Sequence, residues 1–533
     1  MAHVLTALGA IIYAWLKRRQ ASFKIKLDWR IIIAAIIILF ELISVHYFYT
    51  GTVTTFLGDK KVTGASYPYP YFADDWAGVA FTNYTIETGA LPIIHPLLGY
   101  NTYDFPNIFV GFFAGLAEIF LILNLPPLTG YAIITIITGS LICFLVYLFL
   151  KSAKVETMFA LLGALSLPWI INSAKLPGIW YLFPFIGGTI FLLISLIAFN
   201  LKSKLLAFVS SFISLLLYPP FVVFIIPTLL VAPLTKLKTA KQETKKLLAW
   251  IFILLVAATL LVFAVQRDNL SVLYSFFLRS LVRLNNEGCI PIRRIFEVVP
   301  LILIPLAIAG ILEAGRRKLI YFLTPLFIGL TYWLVYSFSP KYLIIDYARI
   351  ASLTSFLLMI AVGLGASWLF KKLAAKYSFF QKKETVFILQ ALLLFLFAVL
   401  ALFYTQREAW RKIILRYDNG WEAPIISPAH QYLHPDDLEL FKNLKQQRFI
   451  SPPWKGLVIG AATGNYPLHN KASIIYTEVV KYDAFMTIRW CKDKLRIARL
   501  LALDYAYVPP LDCPGFDYIG QSREGLYLYK VAY

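Results

Sequence analysis

The chain has 533 residues, 59% of them hydrophobic and only 15% charged, with a formal net charge of +21. Soluble domains are about half apolar and about a quarter charged, so this composition excludes an ordinary soluble protein and indicates a polytopic membrane protein. The positive balance does not point to nucleic acid, because Lys and Arg gather in the cytoplasmic loops of membrane proteins and no nucleic-acid motif is present.

No secretory signal with a small-residue cleavage site opens the chain. The apolar run Val4 to Leu16 is short for a span of about 20 residues. It reads as an interfacial helix on the cytoplasmic face, with a shallow first span as the lesser alternative. Together with the basic residues that follow, it makes residues 1–30 a cytoplasmic, interfacial amino-terminal segment. Apolar runs then predict spans at 31–50, 107–124, 131–150, 157–171, 179–199, 205–234, 247–266, 298–314, 319–338, 350–370 and 385–404. That makes about eleven transmembrane helices in a mainly α domain over 31–404.

Basic clusters give the orientation. Lys17, Arg18, Arg19, Lys24, Lys26 and Arg30 precede the first span. Clusters around Lys236–Lys246, Arg316–Lys318 and Lys371–Lys383 follow the sixth, eighth and tenth. A cytoplasmic amino terminus puts all four inside. Lys151, Lys154, Lys202 and Lys204 dissent by falling outside, and Pro219-Pro220 interrupts the long run 205–234.

This threading places the loop 51–106 outside, and it carries the adjacent carboxylates Asp74 and Asp75, followed by Trp76. Neighbouring carboxylates resist ionising together, so one can keep a raised pKa and act as a general base. Alternatively the pair holds a divalent cation such as Mg or Mn, or it is a solvated acidic turn before a helix. Trp76, and Glu87 and His95 further along the loop, are candidates for substrate contact.

The second outer segment, 267–297, shows Leu270, Leu273, Phe277, Leu281 and Leu284 at helical spacing, with Arg279 and Arg283 sharing a face, and predicts an amphipathic helix. It also holds Arg293 and Arg294. Near the outer end of the tenth span stands Arg349, beside Asp346 and close to Lys341. An arginine at headgroup level suits a lipid phosphate, because its planar fork matches phosphate oxygens. Snorkelling of a span-end arginine is the plain alternative, and Arg293, Arg294 and Lys341 are rival phosphate ligands.

Beyond 404 the composition changes, and 405–533 predicts a small α/β extracytoplasmic domain. A helix starts at Pro435; GLVIGAA, ASIIYTEVV and DYAYV read as strands; YIGQSREGLYLYKV reads as a hairpin turning near Gly525. Four cysteines are scattered without CxxC or zinc spacing, and a Cys491–Cys513 disulfide is open to the chain if this tail lies outside.

The acidic turn and the plan resemble the GT-C superfamily of membrane glycosyltransferases, whose first outer loop carries a DxD, ExD, DDx or DEx motif. Asp74-Asp75-Trp76 has the DDx form. Oligosaccharyltransferase catalytic subunits show an Asp, an aromatic two residues on, and a glycine about fifteen residues after the Asp, where a short helix ends; here these are Asp74, Trp76 and Gly89. The resemblance covers the plan of the whole chain but only about 74–106 in motif. It implies a sugar donor on a polyprenyl or dolichyl phosphate, a glycan, lipid or protein acceptor, Asp74 or Asp75 as base, and Arg349 at the donor phosphate.

The WWDYG signature of oligosaccharyltransferases is missing from the tail, which has Trp421, Trp454 and Trp490 instead. The chain therefore looks more like the monosaccharide-transferring members, of protein mannosyltransferase and aminoarabinose transferase type, several branches of which need no metal. The competing readings are a transporter or flippase of lipid-linked sugars and a non-catalytic scaffold. Transporters commonly carry repeated halves and mid-membrane charges, and few of either are visible here.

Overall fold

The computed structural model describes residues 28–48, 50–55, 58–63, 69–70, 73–93, 95–97, 107–170, 179–234, 283–284, 298–338, 341–342, 344–406, 433–452, 455–468 and 482–533. It is mainly helical, with a small mixed sheet near the carboxy terminus. Three helices are long and apolar enough to cross a membrane, at Pro127–Ser152, Tyr347–Lys376 and Glu384–Leu402, and shorter apolar helices surround them. The predicted spans 31–50, 131–150, 179–199, 319–338, 350–370 and 385–404 each fall largely on a helix. The predicted span 247–266 lies outside the described residues.

Helix α1 (Trp29–Ile43) is capped by Asp28, whose side chain accepts from the Arg30 amide. A two-stranded hairpin, β1 (Thr50–Thr55) with β2 (Gly58–Thr63), opens the first long loop. Helix α2 (Ala73–Thr88) carries the acidic pair and ends at Gly89, whose φ of 68° is the left-handed turn that a glycine adopts without a Cβ penalty. Then come α3 (Val110–Leu123), α4 (Pro127–Ser152), α5 (Thr157–Leu165), α6 (Pro184–Asn200), α7 (Lys204–Leu217) and α8 (Val222–Leu234). The run predicted as one span at 205–234 is thus two helices. The break falls at the 3-10 turn Pro219–Phe221, because prolines lack the amide a continuous helix needs.

Four more helices follow among the described residues: α9 (Ile304–Arg316), α10 (Ile320–Phe338), α11 (Tyr347–Lys376) and α12 (Lys383–Gln406). Helix α11 is the axis of the core, buried almost continuously from Tyr347 to Ser367. It crosses α9 at backbone contact: a Cβ at Gly310 would stand 1.8 Å from the Ala361 carbonyl oxygen, so only glycine fits there. By contrast α12 leaves Phe387, Ile388, Leu392, Phe395 and Leu396 exposed, an apolar face suited to lipid.

Contacts at the helix ends sort the bundle into two poles. At one pole Arg30 reaches Gln390 at the start of α12 (3.0 Å) and lies near enough to Lys151 for their charges to interact. Asn200 donates to Ser152 (3.1 Å), and Arg317 donates to the Ala153 carbonyl (2.8 Å). At the other pole the Tyr131 hydroxyl meets Leu182, Arg349 lies over Phe183, and Phe109 stacks on Tyr218.

Helix α3 has both ends at this second pole. Phe109 before it packs on Tyr218, and Phe120 near its end packs on Gly130 and Tyr131. The predicted span 107–124 therefore does not run from pole to pole. This places Lys151, Lys154, Lys202 and Lys204 at the same pole as Arg30 and Arg317, which removes the conflict among the basic clusters.

Another correction concerns 267–297, most of which lies outside the described residues. Arg283–Leu284 form strand β3, paired antiparallel with strand β4 (Lys341–Tyr342), not the end of a helix. At Leu284 non-local backbone pairing outweighs the helical spacing.

The tail forms a five-stranded sheet in the order β6-β5-β7-β9-β8. Strands β5 (Arg448–Ile450), β6 (Tyr466–Pro467) and β7 (Tyr505–Val508) are parallel neighbours, and β8 (Phe516–Gln521) and β9 (Tyr527–Val531) add an antiparallel hairpin. Helix α13 (Pro435–Phe441) starts at the proline that marked it in the sequence. The segment GLVIGAA is not a strand but helix α14 (Lys455–Thr463). A short apolar run fits either period, and the helix buries Leu457, Val458 and Ala461 against the rest of the protein. The predicted strand ASIIYTEVV lies outside the described residues.

Cys491, opening the helix Cys491–Leu500, is joined to Cys513 across a sequence separation of 22 residues. Closing a loop of that size constrains the unfolded chain by about 3 kcal/mol. A Cys491→Ala/Cys513→Ala double variant should therefore lower the unfolding midpoint of this domain, and dithiothreitol should do the same to the parent but not to the variant. Calorimetry of the purified tail-bearing protein checks both.

Candidate active site

The turn Asp74-Asp75-Trp76 opens α2. Successive helical residues point about 100° apart, so the two carboxylates do not share a direction. The Asp74 backbone is helical, and its side chain lies outside the described set. Asp75 and Trp76 turn inward, 7% and 0% exposed. The Leu182 amide lies near the Asp75 carboxylate, whose Oδ1 has no hydrogen-bond partner among the described residues. Burial pushes the Asp75 carboxyl well above the usual carboxylate range, and the Leu182 amide opposes this only in part.

The Leu182 carbonyl accepts the buried Tyr131 hydroxyl at 2.7 Å. That hydroxyl fills the space where a Cβ on Gly78 would be, 2.1 Å away, so a glycine one turn after the acidic pair lets Tyr131 approach α2. The next residue, Phe183, lies beneath Arg349, whose Cζ is 5.5 Å from the ring centroid. Arg349 sits in the first turn of α11. Asp346 caps that helix by accepting the Arg349 amide (3.0 Å), and also pairs with its guanidinium (3.2 Å). The acidic turn and the arginine, 274 positions apart in sequence when counted from Asp75, thus meet the two residues of one dipeptide.

Of the other expected site residues, Lys341 is in the short strand paired with Leu284, its side chain outside the described set. Arg293 and Arg294 lie outside the described residues. Glu87 is exposed in the last turn of α2 and is not brought to the acidic pair. His95 packs its ring on Phe81 at 4.7 Å, and its Nδ1 accepts the Leu97 amide. Burial drives its pKa down to about 4, so the imidazole is neutral at physiological pH with its Nε2 proton unpartnered among the described residues. Phe81 is nearly two turns beyond Asp75, so His95 flanks the middle of α2 rather than the pair.

No group of three or more His, Cys, Asp or Glu at metal-holding distance occurs among the described residues.

The tail covers the acidic helix. Leu457, Val458 and Ala461 of α14 share one apolar cluster with Trp76, Val79 and Ala80, and Asn83 donates to the Ala461 carbonyl (3.1 Å). At the start of α14 is a feature that the sequence did not announce. Lys455, fully buried, contacts Asp437 and Glu524 at 2.5 Å each. Asp437 also accepts the Tyr507 hydroxyl and the His434 amide. Burial alone would lower the Lys455 pKa, but the two carboxylates outweigh it and hold the ammonium above its ordinary value.

The chain matches no protein-family model and no curated protein. Among solved structures it is similar to the oligosaccharyltransferase of Archaeoglobus fulgidus. The apo form aligns at 14% identity over 91% of this chain and 70% of that one, with a TM-score of 0.51. The same archaeal enzyme, AglB, in complex with an inhibitory peptide and a dolichol-phosphate aligns at 13% identity over 97% and 75%, with a TM-score of 0.53. A form tethered to an acceptor peptide containing the NVT sequon gives 13%, 98%, 75% and 0.52. At such identity the likeness is one of fold: this chain has an oligosaccharyltransferase-like architecture of apolar helices followed by a small sheet-bearing domain.

Proposed function

We propose that the protein is a membrane glycosyltransferase that moves a sugar from a polyprenyl- or dolichyl-phosphate donor to an acceptor hydroxyl. The observation that carries this reading is the convergence of Asp75 and Arg349 on Leu182 and Phe183. An acid motif and a phosphate-type cation at one place are what glycosyl transfer from a lipid phosphate needs. The fold likeness supports the class, since those relatives are oligosaccharyltransferases and one is in complex with dolichol-phosphate.

In this reading the Arg30–Arg317 pole is cytoplasmic, in keeping with the positive-inside rule, and the acidic helix, Arg349 and the tail are outside. The Cys491–Cys513 bond suits an oxidising exterior. Helix α3 lies along the outer surface. Burial biases Asp75 toward its neutral form, and Asp74 is the base that takes the acceptor proton. The acceptor oxygen attacks the anomeric carbon, the bond to the donor phosphate breaks, and Arg349 neutralises the leaving phosphate; a single displacement inverts the centre. The tail covers the acidic helix and helps to select the acceptor.

The test is sugar transfer from a synthetic polyprenyl-phosphate sugar by purified protein. Arg349→Ala should reduce kcat by about 10²–10³-fold, the usual cost of losing one preorganised charge partner. Wild-type rates in Asp74→Asn, Asp75→Asn and Arg349→Ala together would overturn the site assignment.

A further inference from the structure

Between residue 179 and the start of α6 at Pro184 the backbone is neither helix nor strand, and Phe183 is extended at φ −151° and ψ 169°. Among the described residues no strand pairs with this stretch, yet both halves of the site rest on it. Its Leu182 amide lies near the Asp75 carboxylate, and its Phe183 ring lies under Arg349. The Leu182 carbonyl is tied by one side chain, Tyr131, from the second turn of α4. The Tyr131 ring also stacks against Phe120 of α3 and enters the gap left by Gly78 on α2. It therefore touches the acidic helix α2, helix α3 and the connecting dipeptide at once.

We propose that Tyr131 is a positioning residue: its hydroxyl locks the Leu182–Phe183 dipeptide and so holds the acidic turn of α2 and the Arg349 guanidinium in one register. This rests on the glycosyltransferase reading for its consequence in catalysis, but the lock itself is a property of the fold. Tyr131 touches no reacting atom. Its effect passes through Leu182 to the acidic turn and through Phe183 to the arginine. Displacement of a reacting group by about 1 Å costs about 10²-fold in rate, so a loosened dipeptide reaches the chemistry without any loss of charge.

Two measurements on Tyr131→Phe, which keeps the ring and its packing, test the proposal. The first is independent of activity. Amide hydrogen exchange over 179–184 should speed up at least about tenfold in the variant, while exchange in α11 stays as in the parent; unchanged exchange over 179–184 would overturn the lock. The second is transfer from the polyprenyl-phosphate sugar. The variant should lose about 10²-fold in kcat/KM, with both kcat and the donor KM affected. Phe183→Leu should be impaired as well, and the double variant should be little worse than the worse single one, because both act through one dipeptide.

Independent, multiplying effects would show that Tyr131 acts as ordinary core and would overturn the positioning role. So would wild-type kinetics in Tyr131→Phe. Thr189→Val is the control, since it removes another buried hydroxyl, bonded to Phe185 within α6, and should leave rates unchanged. An inactive parent protein with a normal exchange result would sink the transferase reading and leave the lock standing.

Discussion

Asp74→Asn should be the most damaging single change to activity, lowering kcat by about 10³–10⁴-fold with little change in donor KM. General base catalysis is worth roughly 10²–10⁴-fold, and the asparagine keeps the size and the helix-start position while removing proton affinity. Asp75→Asn should differ in kind. Asp75 is already biased toward its neutral form by burial, so an amide of the same shape resembles it, and loss should be nearer tenfold or less. Parallel kinetics on the two variants, with a thermal midpoint for each, check the division of labour. A reversal, with Asp75→Asn the more damaging, would move the base to Asp75 and remove the account given of its burial.

Lys455→Met should be the most damaging change to stability. Deleting one partner of a buried ion pair strands the remaining charges in a low-dielectric setting and costs about 3–5 kcal/mol. Here two carboxylates, Asp437 and Glu524, would be stranded. A triple variant that replaces Lys455, Asp437 and Glu524 by Met, Leu and Leu should recover most of that loss, since apolar packing of similar volume replaces buried ion pairs at little cost. Limited proteolysis of the tail and its unfolding midpoint read both outcomes. The raised Lys455 pKa means the network's contribution is full below the ordinary lysine value, about 10.4, and is lost as pH climbs past the folded value. The network thus has no reason to weaken between pH 6 and 9.

Much of this architecture is written in short-range signals. Apolar length marked most of the bundle, Pro435 marked a helix start, Gly89 marked a helix end, and the hairpin around Gly525 formed where it was expected. The misreadings share a cause. The run at 107–124 is long enough for a span, but hydropathy registers length and not direction. Only the aromatic contacts of Phe109 and Phe120 reveal that both ends of α3 stay at one pole. GLVIGAA fitted two periods, and the choice was made by Trp76 and Val79 on a helix several hundred residues earlier. Tyr131, Leu182 and Phe183 carried no motif at all. An unremarkable tyrosine and two apolar residues acquire a role through one buried hydrogen bond and one ring face. The small size of Gly78 was the sole trace of Tyr131 in the sequence, and it has meaning only once the partner is known.

The seat of α14 on α2 also orders events during synthesis. Asn83 and Ala461, which bond to each other, are 378 residues apart. At about 5–20 residues per second, ribosomes need on the order of 20–80 s to make the cover after making the helix it covers. Throughout that interval Trp76, Val79 and Ala80 have no partner from the tail, although most of the bundle is being built around them. A chain stopped short of residue 455 would complete its apolar helices and still present this acidic, apolar surface bare. The acidic helix is therefore covered only after residues 455–463 have been made and seated on it.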